Sequence, residues 1–283
     1  MNVLDGKVIA DEIKAQVLQQ AETYRQRGVV PTLAIVVATD DPSTAWYVKS
    51  IGKQAAACQI EARLLELAPT STTAEIAQTL SNLANDSSVH GIILQTPLPE
   101  GVNIDDLLGL IPPAKDIDGA NPLSAGNLVY GTPAFPPATA AAVMKILDYY
   151  RVELTGKPVV VVGRSRIVGK PVAHLLLERD ATVTVCHSKT ANLAAHTTQA
   201  EVLVVAAGKA GLISAEHVKP GAVVIDVGTN VNDAGQLVGD VDTSVESVAD
   251  ALTPVPGGVG PVTTALILQH TLTSVGPMVP SEQ

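Results

Sequence analysis

The sequence predicts an α/β protein of two domains, each built on a mostly parallel sheet. Short β-branched runs, such as residues 32–38 and 159–162, alternate with segments in which apolar residues recur at helical spacing. Hydrophobic residues make up 46% of the chain and aromatic residues only 2%, a composition typical of strands buried on both faces of a parallel sheet. At 283 residues the chain exceeds the usual size of one domain, so we expect two hydrophobic cores.

In the first half of the chain, three predicted strands alternate with three predicted helices. The apolar spacing predicts a long amphipathic helix over residues 7–27, and Gly28 stands where it should end. The second helix follows a turn whose last residue, Ser43, is the candidate N-cap. Thr72 and Glu75 have the spacing of a capping box at the start of the third helix. The predicted strands cover residues 32–38, 60–67 and 89–95.

One stretch of the second half, residues 159–171 (VVVVGRSRIVGKP), combines local structure with chemistry. A β-branched run reaches Gly163, passes through a polar turn, and meets Gly169 at the start of an apolar-periodic helix. Such a turn offers backbone N–H groups and a helix N-terminus to a phosphate, and Arg164 and Arg166 add positive charge there. The alternative is an ordinary connection between a strand and a helix.

The rest of the second half continues in the βαβ order of a Rossmann-like dinucleotide-binding domain. Residues 251–261 form a loop rich in glycine and proline. Residues 121–137 combine proline and glycine without clear periodicity, so we place the domain junction there. We expect residues 277–283 to form a frayed tail. Further strands are predicted at residues 181–186, 202–206 and 223–227, and helices at residues 138–150 and 262–275.

Charge and cysteine content make several classes of protein improbable. A net charge of −10 and a pI near 5.0 leave no broad basic surface for nucleic acid. Cys58 and Cys186 lie far apart in the sequence and lack the spacing of a zinc site, so we expect a reducing compartment. The six histidines form no cluster, so we expect no metal site. The charged N-terminus resembles no signal peptide, and no apolar run reaches the ~18 residues of a membrane helix. We therefore expect a cytoplasmic protein that does not bind membranes.

The end of the second predicted strand of the Rossmann-like domain indicates the cofactor. An acidic residue about 20 positions after the glycine turn would accept the ribose 2′-hydroxyl of NAD. Here residues 186–190 read CHSKT, without a carboxylate. A hydroxyl and a cation suit a 2′-phosphate, and Arg164 could reach it from the first turn, so the sequence favours NADP over NAD. The alternative is that these residues form only a polar loop.

Five segments, in this order and spacing, resemble the bifunctional methylenetetrahydrofolate dehydrogenase/methenyltetrahydrofolate cyclohydrolase (FolD) family. They are GRSRIVGKP, CHSKT, VVIDVGTN, GDVD and TPVPGGVGP, and the likeness extends from the LDGK opening to the last helix. The resemblance implies a homodimer of two-domain subunits with the folate site in a cleft. It assigns residues 1–137 to a folate-binding catalytic domain, residues 138–261 to an NADP-binding domain, and residues 262–283 to a helix that packs back on the first domain, plus the tail.

The resemblance also implies roles for individual residues on the folate side. Tyr47 matches the tyrosine that packs against the folate, and Asp118 matches the aspartate that binds the pterin. Gln95 matches the glutamine of the family's Gln-Leu-Pro-Leu-Pro turn, in which Thr96 here replaces the leucine. The implied catalytic residues are Tyr47, Gln95 and Asp118, and the implied substrate-binding residues are these three with Pro97, Gly257 and Gly258.

On the cofactor side, the resemblance places the contacts in three loops. Arg164, Ser165 and Ser188 match the phosphate contacts, and Thr229 stands where the family usually has an isoleucine beside the nicotinamide. The implied cofactor-binding residues are Gly163, Arg164, Ser165, Ile167, Gly169, Ser188 and Thr229.

The chain departs from the family at one position that bears on activity. The family motif Tyr-x-x-x-Lys supplies the lysine held responsible for the cyclohydrolase step, and here that position is Ile51. At ~100° per residue, Lys49 lies about 160° and Lys53 about 120° from Tyr47 around the helix, so neither is an obvious replacement.

The sequence therefore predicts an NADP-dependent methylenetetrahydrofolate dehydrogenase with weak or absent cyclohydrolase activity. One alternative is the full bifunctional enzyme, in which another group near Tyr47 replaces the lysine. A second alternative, from a different class, is a non-catalytic NADP-binding homologue.

Overall fold

A computed structural model describes residues 1–276, and the chain divides into two compact units. The first unit comprises Met1–Asp11 and Pro137–Thr263. The second unit comprises Glu12–Pro136 together with Thr264 and the described residues that follow it. No helix within residues 1–276 is long and apolar enough to cross a bilayer. The predicted tail at residues 277–283 lies outside the described residues.

The strands and helices alternate along most of the chain, as the sequence predicts. The strands are β1 (Asn2–Val3), β2 (Thr32–Val37), β3 (Glu61–Glu66), β4 (Gly91–Leu94), β5 (Pro158–Val162), β6 (Thr182–Cys186), β7 (Val202–Val205), β8 (Val223–Asp226), β9 (Asn230–Val231), β10 (Leu237–Val238) and β11 (Ala251–Leu252). The α-helices are α1 (Gly6–Gln26), α2 (Pro42–Ala57), α3 (Thr73–Asn85), α4 (Asp105–Leu108), α5 (Pro122–Tyr130), α6 (Ala138–Tyr149), α7 (Gly169–Leu177), α8 (Leu193–Thr197) and α9 (Val259–Ser274). Short 3₁₀ turns cover Ala215–His217 and Thr243–Ser247.

The first unit contains a six-stranded parallel sheet in the order β1-β11-β8-β7-β5-β6. Val162 at the end of β5 is in register with Cys186 on one side and Val205 on the other, and Val205 is in register with Asp226. The carboxyl ends of four strands therefore meet at one edge of the sheet. Because the chain goes to opposite sides of β5 to make β6 and then β7, this edge includes the switch point at which such sheets bind ligands.

The core of the first unit is formed by strand residues that are buried on both faces. Val160, Leu203 and Val224, from three neighbouring strands, pack in one apolar cluster with Ile213 and Val245. The β-branched composition of β5 and β7 suits a central strand covered on both sides. The predicted fold class, α/β with mostly parallel sheets, is confirmed, and the antiparallel β9–β10 pair is the exception within the described residues.

The second unit contains a three-stranded parallel sheet in the order β3-β2-β4. All six residues of the central strand β2 are buried, whereas the edge strand β3 has exposed ends at Glu61 and Glu66. Ile76 and Leu80 from α3 cover one face of the sheet. The predicted capping box at the start of α3 is confirmed, because Thr72 and Glu75 each accept a hydrogen bond from the other's backbone N–H.

The cap of α2 was predicted at the wrong residue. Asp41, not Ser43, is the N-cap, and its carboxylate accepts a hydrogen bond from the Thr44 N–H at 2.7 Å. Pro42 occupies the first turn, where the missing N–H costs nothing because that donor has no partner within the helix. The helix therefore begins two residues earlier than a cap at Ser43 would allow.

Other differences from the predicted elements arise where local patterns are short. Residues 121–137, predicted to be aperiodic, contain α5, which Asn121 caps and Gly131 ends in a left-handed conformation (φ +68°). Helix α9 begins at Val259, three residues before the predicted start. Residues 1–11 group with the first unit, in which β1 pairs with β11 and the Tyr150 hydroxyl donates to the Asp5 carbonyl at 3.0 Å. The family resemblance assigns these residues to the folate-binding domain, and that assignment stays a prediction.

Candidate functional site

In the second unit, the turn after β4 is joined to the start of α2. The Gln95 N–H donates to the Val36 carbonyl at 2.9 Å, which extends the strand pairing to the first residue of the turn. The Thr44 hydroxyl donates to the Thr96 carbonyl at 3.1 Å. The Thr96–Pro97 peptide is cis, and Pro97 is exposed. The helix that carries Tyr47 and the turn that carries Gln95 are therefore held together at the carboxyl edge of the sheet.

Tyr47 is half-buried on α2 and interacts with two residues that are distant in the sequence. Its hydroxyl is hydrogen-bonded to the side chain of Thr264, and the carboxylate of Asp118 is close enough to act on it electrostatically. Burial, with a further contribution from the Asp118 charge, raises the pKa of Tyr47 to about 12. The phenol is therefore neutral at pH 7 and can donate a hydrogen bond.

The loop that carries Asp118 is held by its neighbour Asp116. Asp116 is buried and accepts hydrogen bonds from the Ala120 N–H at 3.0 Å, the Asn121 N–H at 2.9 Å and the Ser124 hydroxyl at 2.6 Å. Burial raises the pKa of Asp116, and these donors oppose the rise. Asp118 is half-buried. The two aspartates therefore differ in what they do, because Asp116 fixes the loop through hydrogen bonds and the Asp118 charge acts on Tyr47.

Helix α9 also supports this loop, through His270. His270 is buried, and its Nδ1 atom is 2.8 Å from the Ile117 carbonyl. The His270 ring also packs against Phe135, with ring centroids 5.1 Å apart. Burial lowers the pKa of His270, so the imidazole is neutral at pH 7 and can donate a hydrogen bond from its Nδ1–H group to that carbonyl.

The position of the family lysine is closed to solvent. Ile51 lies one helical turn after Tyr47 on α2 and is 0% exposed. The two lysines of this helix, Lys49 and Lys53, are both exposed. On the face of α2 that carries Tyr47, an apolar side chain therefore occupies the place of the family cation.

In the first unit, the turn after β5 is packed tightly against β7. Gly163 has φ +130°, and a Cβ atom there would lie 2.1 Å from the Ala206 carbonyl oxygen. A Cβ atom on Gly169 would lie 2.2 Å from the Gly163 carbonyl oxygen. Both positions therefore require glycine. This close approach of strand, turn and helix is what a phosphate-binding turn requires, so the residues present fit a dinucleotide.

The exposed side of this turn carries the predicted phosphate contacts. Arg164, Ser165 and Ile167 are exposed at the N-terminus of α7. The Ser165 hydroxyl accepts hydrogen bonds from the N–H groups of Val168 at 3.2 Å and Gly169 at 3.3 Å. The serine thus orders the start of the helix while the arginine side chain extends into solvent.

The residues predicted to contact the 2′-phosphate lie next to this turn. The Gly163 N–H donates to the Cys186 carbonyl at 2.8 Å, which joins the turn to the end of β6. The loop after β6 is closed by a hydrogen bond from the His187 N–H to the Thr190 hydroxyl at 2.8 Å. Ser188 is exposed on this loop. Arg164 and Ser188 therefore lie on adjacent loops at one edge of the sheet.

Thr229, Gly257 and Gly258 also belong to the first unit, on other loops. Thr229 is exposed just after β8. Gly257 accepts a hydrogen bond from the Gly6 N–H at 2.9 Å, and a Cβ atom on Gly6 would lie 1.8 Å from the Gly258 carbonyl oxygen. The loop 253–258 thus rests on the start of α1, which explains why the LDGK opening has glycine at position 6.

The structure groups the predicted residues into two sets. Tyr47, Gln95, Pro97 and Asp118 belong to the second unit, and Gly163, Arg164, Ser165, Ile167, Gly169, Ser188, Thr229, Gly257 and Gly258 belong to the first. Sequence reasoning missed Thr264, which bonds to Tyr47, and His270, which holds the loop of Asp118. The available signal was a polar side chain within an otherwise apolar helix, as in the segment PVTTALIL.

Comparison with known proteins connects both sets to one family. Residues 4–118 match the catalytic domain of tetrahydrofolate dehydrogenase/cyclohydrolase, and residues 137–277 match the NAD(P)-binding domain of the same family. The chain is 57% identical over 279 residues to the bifunctional protein FolD 1 of Saccharopolyspora erythraea. This alignment covers 98% of this chain and 95% of that protein.

Solved structures of the family have the same fold. The bifunctional FolD enzyme of Campylobacter jejuni superposes with a TM-score of 0.95 at 40% identity, over 97% of this chain and 98% of that one. The Trypanosoma brucei enzyme, solved with NADP cofactor and inhibitor, gives a TM-score of 0.92 at 38% identity over 96% of both chains. The chain therefore belongs to the tetrahydrofolate dehydrogenase/cyclohydrolase family.

Proposed function

We propose that this chain is an NADP-dependent methylenetetrahydrofolate dehydrogenase of one-carbon folate metabolism, whose cyclohydrolase activity is weak or absent. It oxidises methylenetetrahydrofolate to methenyltetrahydrofolate. The observation that carries the proposal is the pairing of an intact dinucleotide-binding turn at Gly163 with an α2 helix that keeps Tyr47 but has a buried Ile51.

The second unit supplies the folate contacts in this proposal. Tyr47 presents a neutral phenol, because burial raises its pKa to about 12. Asp118 presents a carboxylate that can accept hydrogen bonds from the N–H groups of a pterin ring. Gln95 offers an amide that can both donate and accept. Such a set orients a heterocycle without requiring a proton to leave the protein.

The first unit supplies the cofactor contacts. The N-terminus of α7 and the exposed Arg164 bind the phosphates, and Ser188 binds the 2′-phosphate that distinguishes NADP from NAD. When bound, NADP provides the hydride acceptor. The transfer requires two carbon atoms held close and aligned, and the substrate's own nitrogen lone pair drives it, so the protein contributes position and not a base.

The hydrolytic step makes a different demand. Hydrolysis of the methenyl group needs an activated water and a proton transfer, and a positioned acid or base contributes typically ~10²–10⁴-fold. The side chain of Ile51 can do neither. Lys49 and Lys53 are exposed and project from other parts of the helix surface. The loss of the lysine therefore weakens hydrolysis much more than hydride transfer.

A single coupled assay tests the proposal. Purified protein is mixed with methylenetetrahydrofolate and NADP, and the absorbances of NADPH and methenyltetrahydrofolate are followed together. We expect both to rise, with the methenyl product decaying no faster than it does without protein. Rapid decay would establish the full bifunctional enzyme instead. NADP binding without NADPH formation, and without a calorimetric signal from folates, would establish a non-catalytic homologue.

The proposal includes the assembly, the domains and the location of the protein. We propose a homodimer in the cytoplasm, with a folate-binding domain at residues 1–137, an NADP-binding domain at residues 138–261, and a closing helix and tail at residues 262–283. The family resemblance supports the dimer and these boundaries. Cys58 and Cys186 are both buried free thiols, which suits a reducing compartment. Light scattering of the purified protein at micromolar concentration tests the dimer.

A further inference from the structure

Two buried aspartates organise the loops at the carboxyl ends of β7 and β8. The Asp240 carboxylate is fully buried, and its Oδ2 atom accepts hydrogen bonds from the Ala207 N–H at 2.6 Å and the Gly208 N–H at 2.9 Å. Its Oδ1 atom accepts from the Lys209 N–H at 2.8 Å. One carboxylate therefore fixes three successive backbone N–H groups of the loop after β7.

The same pair of carboxylates fixes the residues on both sides of Thr229. The Gly228 N–H donates to Oδ1 of Asp226 at 2.8 Å. The Asn230 side-chain amide donates to Oδ1 of Asp240 at 2.8 Å. Thr229 itself is exposed between these two anchored neighbours. Its position thus depends on two buried carboxylates that hold its neighbours Gly228 and Asn230.

The two aspartates are also joined to each other. Oδ1 of Asp226 accepts from the Asp240 N–H at 3.0 Å, and Oδ2 accepts from the Val241 N–H at 3.0 Å. Glycines allow the carboxylates to pack directly on the backbone. A Cβ atom on Gly228 would lie 2.5 Å from Cγ of Asp240, and one on Gly239 would lie 1.8 Å from Oδ2 of Asp226. The network therefore has little freedom to rearrange.

The strand order decides which half of a dinucleotide these loops face. In a doubly wound sheet the dinucleotide crosses the switch point, and each of its two mononucleotides lies over one half of the sheet. Here the phosphate turn follows β5, and the loop that would bind the 2′-phosphate follows β6, on one side of β5. Strands β7 and β8 lie on the other side. Their loops therefore face the nicotinamide half.

We propose that Asp226, Asp240 and Asn230 are positioning residues that set the loops after β7 and β8 for the nicotinamide half of NADP. This inference rests on the proposed function, because it assumes that NADP binds at this edge of the sheet. It adds to that function a set of residues that act through Thr229 and the Ala207–Gly208 backbone.

The test compares two ligands on the same variants of the full-length protein. NADP spans both halves of the site, whereas adenosine 2′,5′-bisphosphate contains the adenosine and the 2′-phosphate but lacks the nicotinamide. The first variant, Asn230→Ala, removes the hydrogen bond from the Asn230 amide to Asp240. The second, Asp240→Asn, replaces one of the two carboxylate oxygens that accept hydrogen bonds from the loop after β7. Asp242→Asn is the matched control, because Asp242 is an exposed aspartate two residues along that only caps a short turn.

We expect Asn230→Ala to weaken NADP binding by about threefold to tenfold, the net effect of one ordinary hydrogen bond. Asp240→Asn should weaken it at least as much. Binding of adenosine 2′,5′-bisphosphate should stay within about a factor of two in both variants, because surface changes scatter by about 0.5 kcal/mol. In Asp242→Asn, binding of both ligands should stay within the same range. If Asp240→Asn does not fold, Asn230→Ala alone decides the question.

Two results would overturn this inference. Equal weakening of both ligands by Asn230→Ala would mean that the network supports the whole unit and does not act on one half of the site. Unchanged NADP binding in Asn230→Ala would mean that Thr229 is positioned without it. A wild-type protein that binds neither ligand would overturn the proposed function and this inference together, so the two failures are distinguishable.

Discussion

The hydroxyl groups of Tyr47 and Thr264 are hydrogen-bonded, although these residues lie near opposite ends of the chain. Thr264 is buried on α9, and Tyr47 is half-buried on α2. A phenol has one proton and two lone pairs, so its partner decides which way the proton points. Thr264 therefore determines how much of the Tyr47 hydroxyl is available to a ligand.

We expect Thr264→Val to reduce kcat/KM for methylenetetrahydrofolate by about threefold to tenfold, which corresponds to the loss of one hydrogen bond. Thr264→Ser should retain most of the activity, because it keeps the hydroxyl. The measurement is steady-state kinetics at saturating NADP. Thr264→Val should have no further effect in a Tyr47→Phe background, and an equal reduction there would show that Thr264 acts independently of Tyr47.

Ile51→Lys should introduce cyclohydrolase activity. The new ammonium would lie one helical turn from Tyr47, on the same face of α2. A positioned acid or base is worth ~10²–10⁴-fold, so we expect at least about tenfold faster decay of methenyltetrahydrofolate even with imperfect geometry. Burial should lower the pKa of the introduced lysine and reduce the melting temperature.

Two controls separate this effect from a general change in α2. Ile51→Met keeps an apolar side chain of similar volume at the buried position and should leave both activities unchanged. Lys53→Met removes an exposed lysine from the same helix and should also change neither activity. If Ile51→Lys is folded, binds NADP and still shows no hydrolysis, the identity of this residue does not explain the proposed loss of cyclohydrolase activity.

Gly163→Ala should destabilise the first unit and abolish NADP binding. The added Cβ atom would lie 2.1 Å from the Ala206 carbonyl oxygen, and the backbone has φ +130°. Strain of this kind costs roughly 1–3 kcal/mol. Gly126→Ala is the matched control, because this helical glycine has open space around it. It should stabilise the protein by ~0.5–1 kcal/mol in chemical denaturation, and equal destabilisation by both substitutions would contradict the packing explanation.

How much of the molecule was predictable depended on the range of the interaction involved. The capping box of Thr72 and Glu75 lies within four residues, and its chemistry is visible in the sequence. The parallel sheets followed from alternating apolar patterns. Strand β1 has only two residues, so it carries no periodicity and depends on its pairing with β11. Local sequence patterns therefore predicted the longer helices and strands. The pairing of short strands was visible only in the structure.

The candidate site shows the same division. The turn from Gly163 to Gly169 is a local motif, and its glycines are required by contacts that the motif implies. Thr264 could not be found in this way, because its partner Tyr47 is on another helix far along the chain. Asp240 was visible only as part of the GDVD segment, and its burial against three N–H groups required the tertiary structure. Residues that position other residues are the ones that sequence reasoning missed.

Asp226 should make the protein less stable as the pH rises from about 4 to about 6. Burial, together with the charge of its neighbour Asp240, raises the pKa of Asp226 from 3.8 to about 6, and three backbone N–H groups oppose the rise. The folded state then binds more protons than the unfolded state between these pH values. The stability contributed by protonated Asp226 is therefore fully present below about pH 4 and is lost as the pH rises through 6. A shift of about two pKa units corresponds to about 3 kcal/mol.

The measurement is the free energy of unfolding of the wild type minus that of Asp226→Asn, determined by denaturant titration at several pH values. The subtraction removes the other titrating groups, including the buried Asp116, whose pKa is also raised. We expect this difference to fall between pH 4 and 6.5 by up to ~3 kcal/mol. Asp242→Asn should give the opposite slope, because hydrogen bonds from Ser244 lower the pKa of Asp242 and its contribution is lost as the pH falls. A difference for Asp226→Asn that is flat or rises with pH would show that its carboxyl group is already ionised in the folded protein at pH 4.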